Sequence, residues 1–245
     1  MPRLRTGLIA LFLAGCPPAV PPLAPLPRVA GAPASAARRQ ALLATLRAEE
    51  GRWRTLTIVH AIRLATREQS GSLRGLLAVR RPDAYRLQLL GPAGITAMDL
   101  TYRAGRFLLV IPSRNVRRAG DRSTPREDLR GLPVDGLARA FLDRYGGTPA
   151  DLIEDARWSV MEWRRGDEVR RLWLDRETTL PRVDSTRRAG REEMRITYDR
   201  YRAADGARLP FRVHFDMPAE GLRAQIDVER YRVNPDLPDS AFELR

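Results

Sequence analysis

The clearest pattern in the chain is Phe211-Arg-Val-His-Phe-Asp-Met-Pro-Ala-Glu-Gly-Leu-Arg-Ala-Gln-Ile-Asp-Val228. Apolar and polar residues alternate through 211–217 and again through 222–228, which is the period of a strand with one apolar face. Between them, Pro218 to Gly221 has the composition of a turn. The stretch therefore predicts an antiparallel hairpin whose apolar side chains all face one way.

The same two-residue period recurs over most of the chain. It is found at 56–64, 73–79, 85–89 and 194–198, and further strands are expected at about 95–104, 106–111 and 158–173. Ten to twelve one-sided strands cannot stay in a flat open sheet, because their apolar faces need cover. We therefore expect a mainly β (α+β) fold in which a curved antiparallel sheet of about 11 strands forms an incomplete β-barrel.

Two short helices interrupt the strands. The first is predicted from Ser35 to Glu50, with a stripe formed by Leu42, Leu43 and Leu46. After a charged, loop-like segment at 114–130, Pro133-Val-Asp135 begins a second helix that Gly146-Gly147 ends. Helices this short cannot fill the concavity of such a barrel, which favours an apolar cavity able to hold an acyl chain. A hollow filled by the sheet's own side chains is the equal alternative.

The apolar face of the strands supplies the candidate wall of that cavity. We predict the cavity-lining residues to be Leu56, Ile58, Leu77, Leu87, Leu89, Phe211, Val213 and Phe215. Each of them is also compatible with an ordinary core position.

The N-terminus has the layout of a secretory signal. Arg3 and Arg5 precede a short apolar run, which ends in Leu13-Ala14-Gly15-Cys16 and is too short to span a bilayer. Cys16 is the only cysteine, and this ending resembles the bacterial lipobox, whose cysteine is acylated and becomes the first residue of the mature protein. We therefore predict a lipoprotein signal peptide at 1–15 and lipidation of Cys16. An ordinary signal peptide with a chance cysteine is the alternative.

A Pro/Ala-rich segment separates this anchor from the rest of the chain. Residues 16–37 are dense in proline, which favours extended polyproline II and forms no core. We interpret 16–37 as a linker and 38–245 as the folded domain.

The chain is strongly basic, and all its basic residues are arginine. Its formal net charge of +13 becomes +11 when a signal peptide with two arginines is removed. The sequence has no nucleic-acid module, and an exported protein meets little nucleic acid, so we predict no nucleic-acid partner. One interpretation is that the arginines bind anionic lipid headgroups. The other is that they lie on the solvated outer face of the sheet.

Residue types for catalysis are scarce. His60 and His214 are the only histidines, so the sequence offers few ligands for a zinc site and few bases for a nucleophile–base pair. We expect His60 to be a hydrogen-bonded interior residue. Asp99, Glu162 and Asp216 form no paired-acid motif, and neither a phosphate-binding glycine loop nor a serine nucleophile elbow occurs. We predict no catalytic residues, no metal and no cofactor, and therefore no enzyme.

Several segments resemble one family in their order along the chain. Tyr85-Arg-Leu-Gln-Leu-Leu-Gly-Pro-Ala-Gly94, Arg103-Ala-Gly105, Phe107-Leu-Leu-Val110 and Gly131-Leu-Pro-Val134 resemble the outer-membrane lipoprotein receptor LolB. The C-terminal part is similar to the wider group that includes the periplasmic carrier LolA, through Leu174-Asp-Arg-Glu-Thr-Thr-Leu-Pro181, Ile196-Thr-Tyr198, Leu209-Pro210 and Asn234-Pro-Asp-Leu-Pro-Asp-Ser-Ala-Phe242. The likeness covers most of 53–245.

This resemblance implies an incomplete barrel whose short helices close the mouth and whose cavity holds the acyl chains of a lipoprotein. It implies a lipid-anchored outer-membrane protein that faces the periplasm, receives acylated lipoproteins or phospholipid from a LolA-like periplasmic carrier, and helps insert them in the outer membrane. Pro17 after the lipobox is compatible with that location. We expect a monomer. The alternative is a non-catalytic structural or envelope-stress-sensing lipoprotein that uses the same fold without cargo transfer.

The resemblance also implies a membrane-contact loop formed by Pro92, Ala93, Gly94 and Ile95. In LolB the corresponding turn carries a leucine that is thought to enter the membrane, whereas this chain has Ala93. Alanine buries less apolar surface, a difference of order 1–2 kcal/mol. Ile95 is the candidate to replace that contact.

Overall fold

A computed structural model describes residues 20–67, 70–121, 124 and 134–244, so the predicted signal peptide, Cys16 and the segment 131–133 lie outside the described residues. The strands are β1 Ala32–Pro33, β2 Thr55–Ala65, β3 Ser70–Arg80, β4 Ala84–Leu90, β5 Thr96–Arg103, β6 Arg106–Ile111, β7 Val116–Asp121, β8 Asp151–Glu154, β9 Trp158–Arg165, β10 Glu168–Asp175, β11 Pro181–Arg188, β12 Arg191–Ala204, β13 Ala207–Met217 and β14 Leu222–Val233. All pairings between them are antiparallel. The predicted fold class is confirmed.

The sheet is built from two meanders joined in the middle. Its strand order is β1-β8-β9-β10-β11-β12-β13-β14-β2-β3-β4-β5-β6-β7, and the outer strands β1 and β7 do not pair with each other. The predicted hairpin is β13–β14, with Phe215 opposite Ala224. Ile226 of β14 then lies opposite Ile62 of β2, which joins the two halves of the chain. The barrel is therefore incomplete.

The described residues contain fourteen strands rather than about 11. The segment predicted as a loop at 114–130 begins with β7, whose side chains are mostly exposed on both faces and therefore show no apolar period. β1 and β8 are two and four residues long, too short for a period to be seen. The difference lies in an edge strand and in short strands, and the long one-sided strands agree with the prediction.

Helix α1, Ala36–Glu50, begins where the sequence predicts. The hydroxyl of Ser35 accepts a hydrogen bond from Arg38 N at 3.1 Å, which satisfies one unpaired donor of the first turn. The stripe Leu42, Leu43 and Leu46 is buried against Leu152, Met161 and Leu172. No helix in the described parts of the chain is long and apolar enough to cross a bilayer.

Helix α2, Val134–Leu142, ends earlier than predicted. Two arginine side chains hold the carbonyl groups that follow it. Arg170 donates to the carbonyl oxygen of Arg144 at 2.7 Å, and Arg47 donates to those of Tyr145 and Gly147 at 3.1 and 2.7 Å. These carbonyls are thereby satisfied without further helical turns. The helix packs inside the sheet, where Tyr85 Oη donates to the carbonyl oxygen of Val134 at 3.2 Å.

The N-terminal segment 20–33 differs from the predicted spacer because it packs on the sheet. Leu26 and Val29 contact the small core formed by Val160, Trp173 and Val183. Val20 is only 4% exposed. The carbonyl oxygens of Val20 and Ala24 accept hydrogen bonds from Arg223 at 3.3 Å and Arg195 at 2.7 Å. The segment stays extended, but its apolar residues cover exposed sheet and so contribute to the core.

Candidate functional site

The concave side of the sheet encloses a cavity of about 860 Å³. This volume is in the upper part of the range of pockets that enclose small ligands. Its apolar wall comes from both halves of the sheet, with Leu56, Ile58, Ile62, Leu64, Leu73, Leu77, Val79, Leu87, Leu89, Met98, Val213, Phe215, Met217, Leu222, Ala224, Ile226 and Val228. Helices α1 and α2 contribute residues at one side. The hollow is thus open rather than filled by the sheet's own side chains.

Seven of the eight predicted lining residues face this cavity: Leu56, Ile58, Leu77, Leu87, Leu89, Val213 and Phe215. Phe211 is not part of the wall. Its ring packs edge-on against Tyr231 at 5.2 Å and lies under the guanidinium of Arg202 at 4.9 Å. Phe211 lies opposite Arg200 of β12, whose left-handed φ of 55° interrupts the ladder between the Asp199–Arg212 and Tyr201–Pro210 pairs without a change of register. The part these side chains play in binding stays a prediction.

The predicted membrane-contact loop forms the turn between β4 and β5. Pro92–Gly94 is a short 3-10 helix, in which Ala93 and Gly94 have φ values of 57° and 75°. Pro92 and Ile95 reach the rim of the cavity. Ile95 is 71% exposed, the most exposed large apolar side chain among the described residues, and it lies beside the apolar opening.

We call the part of the cavity beside this turn and the β13–β14 turn, Pro218–Gly221, the turn end. Antiparallel pairing brings both turns to one edge. Ala65 at the end of β2 pairs with Arg223, just after the β13–β14 turn, and with Ser70 at the start of β3, and Arg74 of β3 pairs with Leu90, just before the β4–β5 turn. Glu220, next to that turn's Gly221, also lines the cavity. The opposite part, beside Trp53 and the last turn of α1, is called the helix end.

Charged residues occupy the helix end. Glu50, the last residue of α1, pairs with Arg81 at 2.5 Å, and the Arg81 guanidinium lies 3.4 Å from the centre of the Trp53 ring. Burial raises the pKa of Glu50 and lowers that of Arg81 to about 10. Arg144 is next to them on the cavity wall, 4.7 Å from the centre of the Tyr198 ring. This group joins the end of α1, the segments that follow α1, β3 and α2, and strand β12.

Sequence reasoning did not find the helix-end group. Its members are separated by up to about 150 positions, and no motif links them. The one feature of the sequence that could have indicated this group is Arg144-Tyr145, two polar residues that directly follow an amphipathic helix. That signal does not specify a partner on β12.

His60 is 2% exposed and lines the cavity. The prediction of an interior residue is confirmed, but Nδ1 has no hydrogen-bond partner among the described residues. Burial lowers the pKa of His60 to about 4, so the ring is neutral at pH 7. Its place depends on Gly75 in the neighbouring strand, because a Cβ atom there would collide with the imidazole ring.

The remaining candidate groups have structural roles. His214 is half-buried, and burial lowers its pKa. Asp99 pairs with Arg86 at 2.6 Å, and Glu162 with Arg171 at 2.5 Å and Arg164 at 2.6 Å. Burial raises the pKa of Asp216. Within the described ranges, no three His, Cys, Asp or Glu side chains are grouped so as to hold a metal ion.

Ion pairs on the outer face use part of the positive charge. Asp227 accepts from Arg63 at 3.2 Å and from Arg212 at 2.6 Å, and Glu229 pairs with Arg74 at 2.6 Å. These arginines alternate along their strands with residues of the cavity wall. The polar face of the strands is thus the convex side of the sheet.

Fold and site together define a class of protein: a single curved sheet that holds an apolar cavity on its concave side. The LolA superfamily protein NE2245 from Nitrosomonas europaea shares this fold, with a TM-score of 0.62 and 17% identity over 84% of this chain and 97% of that one. A DUF1329 family protein from Desulfovibrio piger has a TM-score of 0.61 and 12% identity over 84% and 96% of the two chains. A search of curated proteins found no significant match.

The sequence itself identifies the family. The profile of outer membrane lipoprotein LolB matches residues 55–228, which is well over half of the chain and includes both meanders from β2 to β14. The chain therefore belongs to the LolB family. The fold and the family are compatible with lipoprotein binding or sorting, and neither indicates a catalytic activity.

Proposed function

We propose that this protein is anchored to the outer membrane through acylated Cys16, receives the acyl chains of lipoproteins in its cavity, and helps insert them in that membrane. The observation that carries the proposal is the open apolar cavity of about 860 Å³ in a LolB-family chain. An apolar cavity lowers the free energy of an acyl chain that would otherwise contact water. A periplasmic LolA-like carrier is the proposed donor, and a monomer is the proposed acceptor.

The N-terminal segment supports an orientation for this protein on the membrane. Val20 is fixed beside Arg223, which lies at the turn end of the cavity. Val20 is four residues after Cys16 along the chain, a distance of at most roughly 14 Å for an extended chain. An acylated Cys16 would therefore hold the turn end close to the bilayer. Exposed Ile95 lies at that same end.

Transfer of an acylated lipoprotein tests the proposal. The chain from residue 16 onward, with Cys16→Ser so that it carries no acyl group, would be mixed with a cargo-loaded periplasmic carrier, and cargo movement followed by pull-down. We expect cargo to move to this chain. Absence of transfer with a folded acceptor and an active carrier would contradict the proposal and favour a structural role without cargo.

A matched pair of variants separates cavity binding from surface adhesion. Leu87→Trp places a large ring in the cavity and is expected to abolish stable transfer, because it occupies the volume that the acyl chain needs. Leu76→Trp makes the same change at a residue that is 38% exposed and not part of the cavity wall, and should transfer like the parent chain. Equal transfer by both variants would place the cargo outside the cavity.

A further inference from the structure

Three arginines, Arg81, Arg144 and Arg170, lie at or beside the helix end of the cavity, together with the carboxylates of Glu50 and Asp184. Glu50 is neutralised by Arg81 at 2.5 Å, and Asp184 by Arg170 at 2.6 Å. Arg144 lies beside both pairs, since its carbonyl oxygen accepts from Arg170 and its charge attracts Glu50, but no carboxylate of the described residues is within ion-pair distance of its guanidinium. An arginine stays charged in proteins, and a charge without a partner in an apolar site is costly.

The hydrogen bonds of Arg144 leave donor capacity unused. Nη2 donates to the carbonyl oxygen of Ala140 at 3.2 Å, and the side chain also hydrogen-bonds to Tyr145, while Nε is buried and meets no acceptor among the described residues. The guanidinium stacks over the ring of Tyr198 at 4.7 Å, which fixes its plane at the cavity wall. A guanidinium has five N–H donors arranged to meet the two oxygens of an anion.

Tyr198 adds a second donor without a partner. Tyr201 and Tyr231, which also line the cavity, donate to the carbonyl oxygens of Pro181 and Pro210, both at 2.6 Å. Tyr198 Oη is buried and has no hydrogen-bond partner in the described part of the chain. Burial raises the pKa of Tyr198 to about 12, so this hydroxyl is protonated and able to donate at neutral pH. Buried donors in proteins usually have a partner, so water or a ligand is expected to complete this one.

We infer that Arg144 and Tyr198 bind the anionic headgroup, a carboxylate or a phosphate, of a lipid whose acyl chain occupies the cavity. The inference rests on the proposed function, because it assumes that the cavity holds acyl chains. It adds anionic lipids as a ligand class beside the lipoprotein acyl chains of the proposed function. The acyl groups of a lipoprotein are joined through esters and an amide, which carry no charge, whereas a fatty acid or a lysophosphatidic acid supplies the negative charge that Arg144 lacks.

The test compares two fluorescent probes that differ only in charge: a dansyl-labelled undecanoic acid and its methyl ester. Both are titrated at pH 8 into the chain from residue 16 onward with Cys16→Ser, which keeps every described residue. We expect the acid to bind at least about tenfold more tightly than the ester, as a charge-assisted hydrogen bond predicts. Arg144→Gln should reduce acid binding to the level of the ester and leave ester binding unchanged.

Three further variants make the result specific. Arg144→Lys keeps the charge and should keep a preference for the acid, which also shows that loss in Arg144→Gln does not come from misfolding. Tyr198→Phe should lower the preference by a smaller factor. Arg208→Gln removes an exposed arginine of the cavity rim and should retain the full preference.

Each other outcome has a defined meaning. Equal binding of acid and ester by the parent chain, or a preference that survives in Arg144→Gln, would overturn the inference. Failure of both probes to bind would instead contradict the proposed function. Lysophosphatidic acid should displace the acid probe at far lower concentration than inorganic phosphate, and displacement by both at similar concentrations would show a site for free anions rather than for lipids.

Discussion

Replacement of Ile95 by serine tests whether the turn end contacts the membrane. Ile95 is 71% exposed, so about seven-tenths of its side-chain surface remains available for burial in a bilayer. Full burial of an isoleucine side chain contributes roughly 1.5–3 kcal/mol, so the available part is worth about 1–2 kcal/mol. Ile95→Ser is therefore expected to weaken membrane partitioning by about 6- to 35-fold.

The assay is sedimentation with liposomes of outer-membrane lipid composition. The chain from residue 16 onward carries Cys16→Ser, because an acyl anchor would hide a change of this size. Leu76→Ser is the matched control. Leu76 is the other large apolar side chain exposed among the described residues, at 38%, and it is not part of the cavity wall. Its loss should leave partitioning unchanged.

Two results would refute the reasoning about the turn end. If Ile95→Ser partitions like the parent chain, the exposed isoleucine makes no membrane contact. If Leu76→Ser loses as much as Ile95→Ser, the contact is distributed over the surface and the turn end has no special role. Should only Ile95→Ser lose affinity, Ala93→Leu in the same turn is expected to strengthen partitioning, because it adds apolar surface beside Ile95.

Two further predictions concern buried polar groups. Asp184→Asn leaves the Arg170 charge buried without its partner at 2.6 Å and should lower the free energy of unfolding, measured in urea, by about 3–5 kcal/mol. The control is Asp167→Asn, at an exposed ion pair with Arg188, which should lower it by less than about 1 kcal/mol. Similar losses in both variants would contradict this reasoning. Burial holds the pKa of His60 near 4 in the folded state, against 6.5 for an ordinary histidine, so the unfolded state gains the proton first as pH falls. The contribution of neutral His60 to the free energy of unfolding is complete above pH 6.5 and is lost progressively towards pH 4, by up to about 3 kcal/mol. The free energy of unfolding, measured at pH 7, 5.5 and 4, should therefore fall less with pH in His60→Gln than in the parent chain.

The long strands were predictable because their apolar face is buried on one side only. In the two strands between 211 and 228 every second residue faces the concave side, except Phe211. Phe211 lies opposite Arg200, whose left-handed backbone interrupts the ladder, and its apolar character gave no sign of this. β7 was missed for the opposite reason, since an edge strand with exposed side chains on both faces needs no apolar period. Periodicity reports burial, so it fails where strands are not buried on one face.

The apolar part of the cavity could be predicted from the sequence, whereas its charged end could not. The orientation of Leu77 and Val213 could be predicted from the alternation of apolar and polar residues along their strands. Arg144 and Tyr198 are brought together only by tertiary structure, because α2 inserts into the concavity and ends against β12. A charged residue in a basic chain also gives no local sign that it is unpaired. The site therefore depends on a charge balance that exists only in the folded chain.

The incomplete cover of the sheet explains how one fold can hold a cavity and still be stable. The convex side is covered by ion-paired arginines and by the N-terminal segment around Leu26 and Val29. On the concave side, α1 and α2 cover only part of the apolar face, and the remaining part lines the cavity. A bound acyl chain would cover that remainder and would stabilise the folded state in proportion to its occupancy. In the proposed function the same contacts must break on delivery, so the affinity for lipid has to lie between that of the carrier and that of the membrane. An open barrel with an exposed apolar residue at one end would meet this requirement, because the end proposed to release the chain is also the end proposed to lie at the bilayer.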